Sequence, residues 1–227
     1  MRGLIWKDYR LNRSLLILGA ITLVSVMVVG IVIETSNTWP AMPVPKAIGD
    51  ALFSYGQLAL GLTPFLTALL GGNAIACERA ERSAHFLAYL PPKKWQILAS
   101  KLVVAAGATG LFWGAILLLM YGIAPLITSR PANFLNSMSG SPWGVVAGCI
   151  LTFGVGWLGS ACLETATIPA ILALASPFML GFGLYSVAAI FAVSRFELIE
   201  WSGVASFGCG ACAFAAGTWC YLRRVEP

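Results

Sequence analysis

The side chains able to do covalent or metal chemistry are few and poorly grouped. The single histidine is His85. A nucleophilic hydrolase needs a base beside its nucleophile, and a metal centre needs several converging ligands. Ser160, after Gly159, has no such partner, and neither a His-Glu-x-x-His stretch nor an acid pair inside an apolar run occurs. Cys209-Gly-Ala-Cys212 has the spacing of a redox or metal pair. Inside an apolar run, however, cysteines three apart also pack as small hydrophobes. The remaining cysteines, Cys77, Cys149, Cys162 and Cys220, leave no pair in a loop on the oxidising side and so no expected disulfide. No Gly-x-x-x-x-Gly-Lys-Ser/Thr stretch occurs, so the chain has no ATP-binding loop of its own. The chain is not expected to be an enzyme.

The elements that would position any site are set by composition. Of the 227 residues 59% are apolar and 10% charged, against about 25% charged in soluble domains. A membrane span takes roughly 20 apolar residues. Six runs meet that need, at about 14–33, 51–76, 102–127, 143–162, 168–193 and 204–222. None holds Asp, Glu, Lys or Arg within those limits. Carriers coupled to ions usually place ionisable groups in their spans, so these limits speak against one. Glu34 and Glu164 fall at the edges. The expectation is an all-α membrane protein, one transmembrane domain over 1–227. Loops at Glu34–Asp50, Thr128–Pro142 and Ser194–Glu200 are too short for a further domain.

Basic residues orient the spans. Arg2, Lys7, Arg10, Arg13, Arg79, Arg82, Lys93, Lys94, Lys101, Arg223 and Arg224 fall on one side of a six-span chain. Only Lys46, Arg130 and Arg195 fall on the other. The positive-inside rule then puts both termini in the cytoplasm; the expected location is the cell (inner) membrane. Trp6, Trp95 and Trp219 fall at inner boundaries and Trp39, Trp143 and Trp201 at outer ones, where indole rings favour the headgroup layer. Trp113 falls mid-span and needs a protein neighbour or lipid contact. Gly110-x-x-x-Gly114, Gly144-x-x-x-Gly148 and the Gly154, Gly156, Gly159 series allow close helix approach.

Two segments outside these runs are patterned. Glu78–Leu90 reads as a helix, with Glu78 and Arg82 spaced to pair and Phe86 and Leu90 on one face. Pro91-Pro92 stops it, and a second helix starting at Pro92 carries Lys93, Lys94 and Lys101 into span three. That makes a helix–break–helix elbow, although a solvated charged loop would show the same charges. In residues 1–13, Arg2, Lys7, Arg10 and Arg13 share one broad arc, with Trp6 among them and Leu4, Ile5 and Leu11 opposite. This suits a helix lying on the membrane surface and also a plain positive-inside flank.

Together these segments resemble the permease subunits of type-2 family ABC transporters. The opening Leu4-Ile5-Trp6-Lys7-Asp8-Tyr9-Arg10-Leu11-Asn12-Arg13 is similar to that family's Leu-Ile-x-Lys-(Asp/Glu)-x-Arg-x-Asn-Arg pattern. After span two, Glu78, Glu81, Arg82, Ser83, Leu87, Leu90, Pro91, Lys93, Ile97 and Lys101 follow its layout. Ser83-Ala84-His85 and Pro92-Lys93-Lys94 stand where the family has Gly-Thr and Ser-Arg pairs. The resemblance implies a membrane-spanning subunit of an exporter that does no covalent chemistry. ATP and Mg would belong to a separate ATP-binding subunit. A second permease copy or paralogue and the lipid bilayer would be the other partners, and no nucleic acid. Glu78, Arg82, Phe86, Leu90, Pro91, Lys93 and Lys94 would meet the ATP-binding subunit. Spans two and five would border the pathway. Their polar residues are Ser54, Gln57, Thr63, Thr67, Asn73, Ser176, Tyr185 and Ser186. A stand-alone channel or carrier, or a structural scaffold, are the alternatives.

Overall fold

The computed structural model describes residues 2–38, 43–80, 94–128, 142–163, 165–191 and 195–224. Those residues are helical almost throughout. The helices are α1 (Arg2–Thr38), α2 (Val44–Ala80) and α3 (Lys94–Leu117), which runs through a π-helical turn (Leu118–Ile123) into α4 (Ala124–Thr128). After them come α5 (Pro142–Cys162), α6 (Thr167–Phe191) and α7 (Arg195–Arg224). Six stretches are long and apolar enough to cross a membrane: Gly3–Asn37, Val44–Ala76, Trp95–Ile127, Trp143–Cys162, Thr167–Ile190 and Trp201–Arg223. The chain is a multi-pass membrane protein with the six expected spans.

The helices outrun the apolar runs that mark them. The span expected at 14–33 belongs to one unbroken helix from Arg2 to Thr38, about 55 Å long at about 1.5 Å per residue. The surface helix expected over 1–13 is therefore not a separate element but its first turns. Its half-buried Leu4, Leu11 and Leu15, with Asp8 between them, face the bundle, while Trp6, Arg10 and Arg13 are exposed. The loop expected over Glu34–Asp50 is also largely helix. Pro43 O accepts from Lys46 N and Ala47 N (3.0 and 3.3 Å), and α2 starts at Val44, seven residues before the expected Ala51. Pro45 fits that first turn, where no N–H is needed. Likewise Arg195–Glu200, expected as a turn, opens α7. Apolar periodicity marks only what lipid or core covers, and helical hydrogen bonding continues past it wherever the ends are solvated or capped.

α5 is the centre of the packing, between α2 and α7. Glycine lets backbones touch there. A Cβ on Gly210 of α7 would lie 2.6 Å from the Ile150 carbonyl of α5, and one on Gly71 of α2 would lie 2.6 Å from Phe153 O. Two apolar clusters complete the interior. Near one end Leu23 and Met27 of α1 meet Leu52 and Leu60 of α2, then Ile116 and Met120 of the third rod. Near the other, Ile75, Leu98, Trp157, Ala161 and Tyr221 gather from α2, α3, α5 and α7. That second cluster places the start of α3 and the end of α7 at the same end of the bundle. Asp8 of α1 packs there too, through Ser100 and Lys101 of α3.

The glycine series on span four is used inside the chain. Gly154 would clash with Gly210, Gly156 with Gly72 and Gly159 with Pro169. Gly110 and Gly114, by contrast, would meet nothing within 4 Å. The outward faces of α1, α6 and α7 carry large apolar side chains such as Ile21, Phe182 and Val204, as a lipid boundary requires. This difference predicts opposite outcomes for one chemical change. Gly210→Leu should lower the melting temperature in detergent strongly, because overpacking costs about 1–3 kcal/mol or more. Gly110→Leu should leave it nearly unchanged. Equal shifts for the two would contradict the central place of α5.

Candidate functional site

Where α1, α2 and α3 meet near that shared end, polar side chains are buried together. On α1, Asp8 is 3% exposed and falls in the stripe that otherwise holds Leu4, Leu11 and Leu15. On α3, Ser100 and Lys101 are buried too. Helical spacing explains the placement. Asp8 and Asn12 lie one turn apart on the packed face of α1, and Asn73-Ala74 present the facing turn of α2.

The hydrogen bonds close on one another. Lys101 Nζ donates to Ala74 O at 2.6 Å and lies 3.6 Å from Asp8 Oδ1. Ser100 Oγ reaches both Asp8 Oδ2 and Ile97 O. Its single hydrogen goes to the charged acceptor, which forms the stronger bond. Asn73 Nδ2 donates to Asn12 Oδ1 at 3.0 Å, and Asn12 Nδ2 donates to Asp8 O at 2.9 Å. Thus α2 is held at Asn73 by α1 and at Ala74 by α3. A buried charge is tolerated only when paired and hydrogen-bonded, and here both conditions are met. The arrangement can clamp three helices in one register. It contains no activated nucleophile and, among the described residues, no three of His, Cys, Asp and Glu converge.

The expected runs 14–33 and 102–127 hold no charge, and the ion pair sits just outside them on the helical extensions, Asp8 in the first turns of α1 and Lys101 directly before Leu102. The charges are hidden in the sequence because the apolar runs begin just after them. A signal was available: Asp8 is an acid on an apolar stripe, and Lys101 directly precedes Leu102-Val103-Val104.

The polar residues expected along a pathway divide into two groups. Thr63 is buried and accepts from Trp113 Nε1 at 3.0 Å, with Cys149 Sγ 3.4 Å away. That gives mid-span Trp113 its protein neighbour. Thr67 pairs with Thr152 of α5 at 2.8 Å. Asn73 belongs to the clamp, while Ser176 and Ser186 donate within their own helix to Ala173 O and Phe182 O. Thr63, Thr67 and Asn73 thus bond neighbouring helices, while Ser176 and Ser186 bond only their own. Ser54 and Tyr185 face outward. The Gln57 Nε2 atom is buried without a hydrogen-bond partner among the described residues.

The elbow lies mostly outside the described residues: Arg82, Phe86, Leu90, Pro91 and Lys93 fall there. Glu78 continues α2 and Lys94 opens α3, so the segment between them joins two helices that the clamp already ties together. Of the basic residues on α1, Arg10 and Arg13 are exposed and Lys7 is half-buried. At the far end of the chain Arg223 sits 4.0 Å over the exposed Trp219 ring. Cys209 and Cys212 both face outward on α7.

The chain matches no known family model, no characterised protein and no solved structure.

The clamp makes a directional prediction. Asp8→Leu strands the Lys101 ammonium and should destabilise the protein by about 3–5 kcal/mol. Adding Lys101→Met to it should restore most of that loss, because an apolar pair of similar volume is tolerated. Thermal unfolding in detergent of the single and double variants measures this. A double variant as unstable as the single would show that the two charges do not act as a pair.

Proposed function

We propose that this chain is the membrane-spanning permease subunit of an ATP-driven exporter of the type-2 ABC kind. It is energised by a separate ATP-binding subunit that carries ATP and Mg, and it works beside a second permease copy or a paralogue. The observation that supports this reading most is the clamp. Its ion pair joins the two segments on which the resemblance rests, residues 4–13 and 78–101, with Asn73 and Ala74 of α2 completing it. Asp8 and Asn12 come from the first, Ser100 and Lys101 from the second.

The joint suits a coupling role. α2 and α3 leave it towards the segment between Ala80 and Lys94. Force applied to that segment bears on three helices joined by side-chain hydrogen bonds and an ion pair, so they move as one lever rather than bending singly. Residues Glu78, Arg82, Phe86, Leu90, Pro91, Lys93 and Lys94 are the proposed contact with the ATP-binding subunit. The eleven-to-three split of basic residues puts that segment and both termini on the cytoplasmic side. With most span hydroxyls engaged inside the chain, Ser54 and Tyr185 are the pathway residues the proposal retains.

A buried Asp–Lys pair also raises the reading of a stand-alone ion-coupled carrier. Position speaks against it. Asp8 follows the start of α1 by six residues, about 9 Å. A helix about 55 Å long centred on a core about 30 Å thick overhangs by about 12 Å at each end. The pair thus lies at the membrane boundary, whereas carriers hold their coupling ions near the midplane.

The test is made on the complex purified with its ATP-binding subunit. Glu78→Lys with Phe86→Asp should leave the permease inserted and folded but reduce retention of that subunit on the immobilised permease. Loss of an aromatic anchor worth about 2 kcal/mol lowers affinity roughly thirtyfold. The permease alone should hydrolyse no ATP. Undiminished retention and transport by the double variant, or hydrolysis by the clean permease, would contradict the reading.

A further inference from the structure

Two helices carry a proline in their interior, Pro64 in α2 and Pro177 in α6. A helical proline has no N–H for the carbonyl four residues back and crowds it. In hydrocarbon that carbonyl must find another donor. Both helices use the same repair, a hydroxyl immediately before the proline. Thr63 Oγ1 donates to Leu60 O at 2.6 Å, and Ser176 Oγ donates to Ala173 O at 2.7 Å. In each case the acceptor is the carbonyl that the proline orphans.

The surroundings of the two breaks differ. Around Pro64 the helix is held from two sides. Thr63 accepts from Trp113 of α3 and touches Cys149 of α5, and Thr67, one turn on, bonds Thr152 of α5. Around Pro177 nothing comparable exists among the described residues. Before the break α6 is anchored: Pro169 packs on Gly159, Ala170 lies against Gly72, and Ala173 is fully buried. Beyond it Phe178, Met179, Phe182 and Ile190 are each more than 70% exposed, and a Cβ on Gly181 or Gly183 would meet nothing within 4 Å. Among the described residues of this part, Leu180, Leu184 and Ser186 are half-buried and Ala188 is buried.

We infer that Ser176-Pro177 is a hinge. The part of α6 beyond Pro177 is an arm that swings against the fixed bundle, while the matching break in α2 is locked. Ser176 limits the swing by keeping the Ala173 carbonyl bonded on its own helix. Tyr185 rides on the arm, so movement changes what that phenol faces. The inference rests on packing alone and stands apart from ATP-driven export.

Spin labels on the full chain in phospholipid nanodiscs test it, with the native cysteines replaced. One label at the exposed Leu126 is paired with Tyr185 on the arm or with Trp201 on α7. The 126–185 distance distribution should be about twofold broader than the 126–201 distribution, as expected for a helix free to bend at proline. Pro177→Ala should narrow it to the 126–201 width, and Ser176→Ala should broaden it further. The 126–201 pair reports whether each variant is folded. If Pro177→Ala is misfolded, Ser176→Ala decides alone: broadening supports the hinge and an unchanged width overturns it. Equal widths for the two pairs in the unsubstituted protein would also overturn it.

Discussion

An aspartate and a lysine buried at the edge of a membrane must find each other, because neither can be left there alone. Asp8 and Lys101 do so across two helices, with Ser100 on the carboxylate and the Ala74 carbonyl on the ammonium. Much else follows from that contact. It fixes the rotation of α1, since only one face carries Asp8 and Asn12. It fixes the sliding of α3 against α2, since Lys101 reaches a single carbonyl. It also makes the beginning of the chain a part of the bundle rather than a tether beside it.

Away from the clamp, cohesion comes from shape. Helices in lipid gain little from burying apolar surface, so they hold by close approach and by interhelical hydrogen bonds. α5 uses both. Its glycines admit the backbones of α2 and α7, while Cys149 and Thr152 face the threonines of α2. Thr63 and Trp113 tie the third rod to the same place. Cohesion is thus concentrated where α5 meets α2 and α7, with the third rod tied in at Thr63, while the part of α6 beyond Pro177 makes no such bond among the described residues.

The spans were legible in the sequence because lipid imposes a length and a composition. Their ends were not. Arg2–Arg13, Val44–Asp50 and Arg195–Glu200 are polar or Pro-rich, yet helical, since hydropathy does not register hydrogen bonding beyond the apolar core. The motif residues Asp8 and Lys101 were visible, but their meeting was not, because residues 93 positions apart in sequence are joined only by the fold. Thr63 and Ser176 show a different limit. A hydroxyl in a span reads equally as pathway or as packing, and only the neighbouring proline, at 64 and at 177, gives a local reason to favour packing. Gly110 and Gly114 form the same pattern as the span-four glycines but face outward, since spacing says that a face is small and not what lies against it.

The most direct measure of the clamp is proximity between the first and second helices at a pair that spares the ions. Asn12 and Asn73 are hydrogen-bonded to each other at 3.0 Å. In a chain cleared of its native cysteines, Asn12→Cys with Asn73→Cys should be bridged by a short bifunctional thiol reagent in native membranes. The bridge should be intramolecular, giving a monomer of altered mobility. If that pair stays unbridged while Thr67→Cys with Thr152→Cys is bridged under the same conditions, α1 does not pack against α2 and α3 as described, and the clamp does not exist.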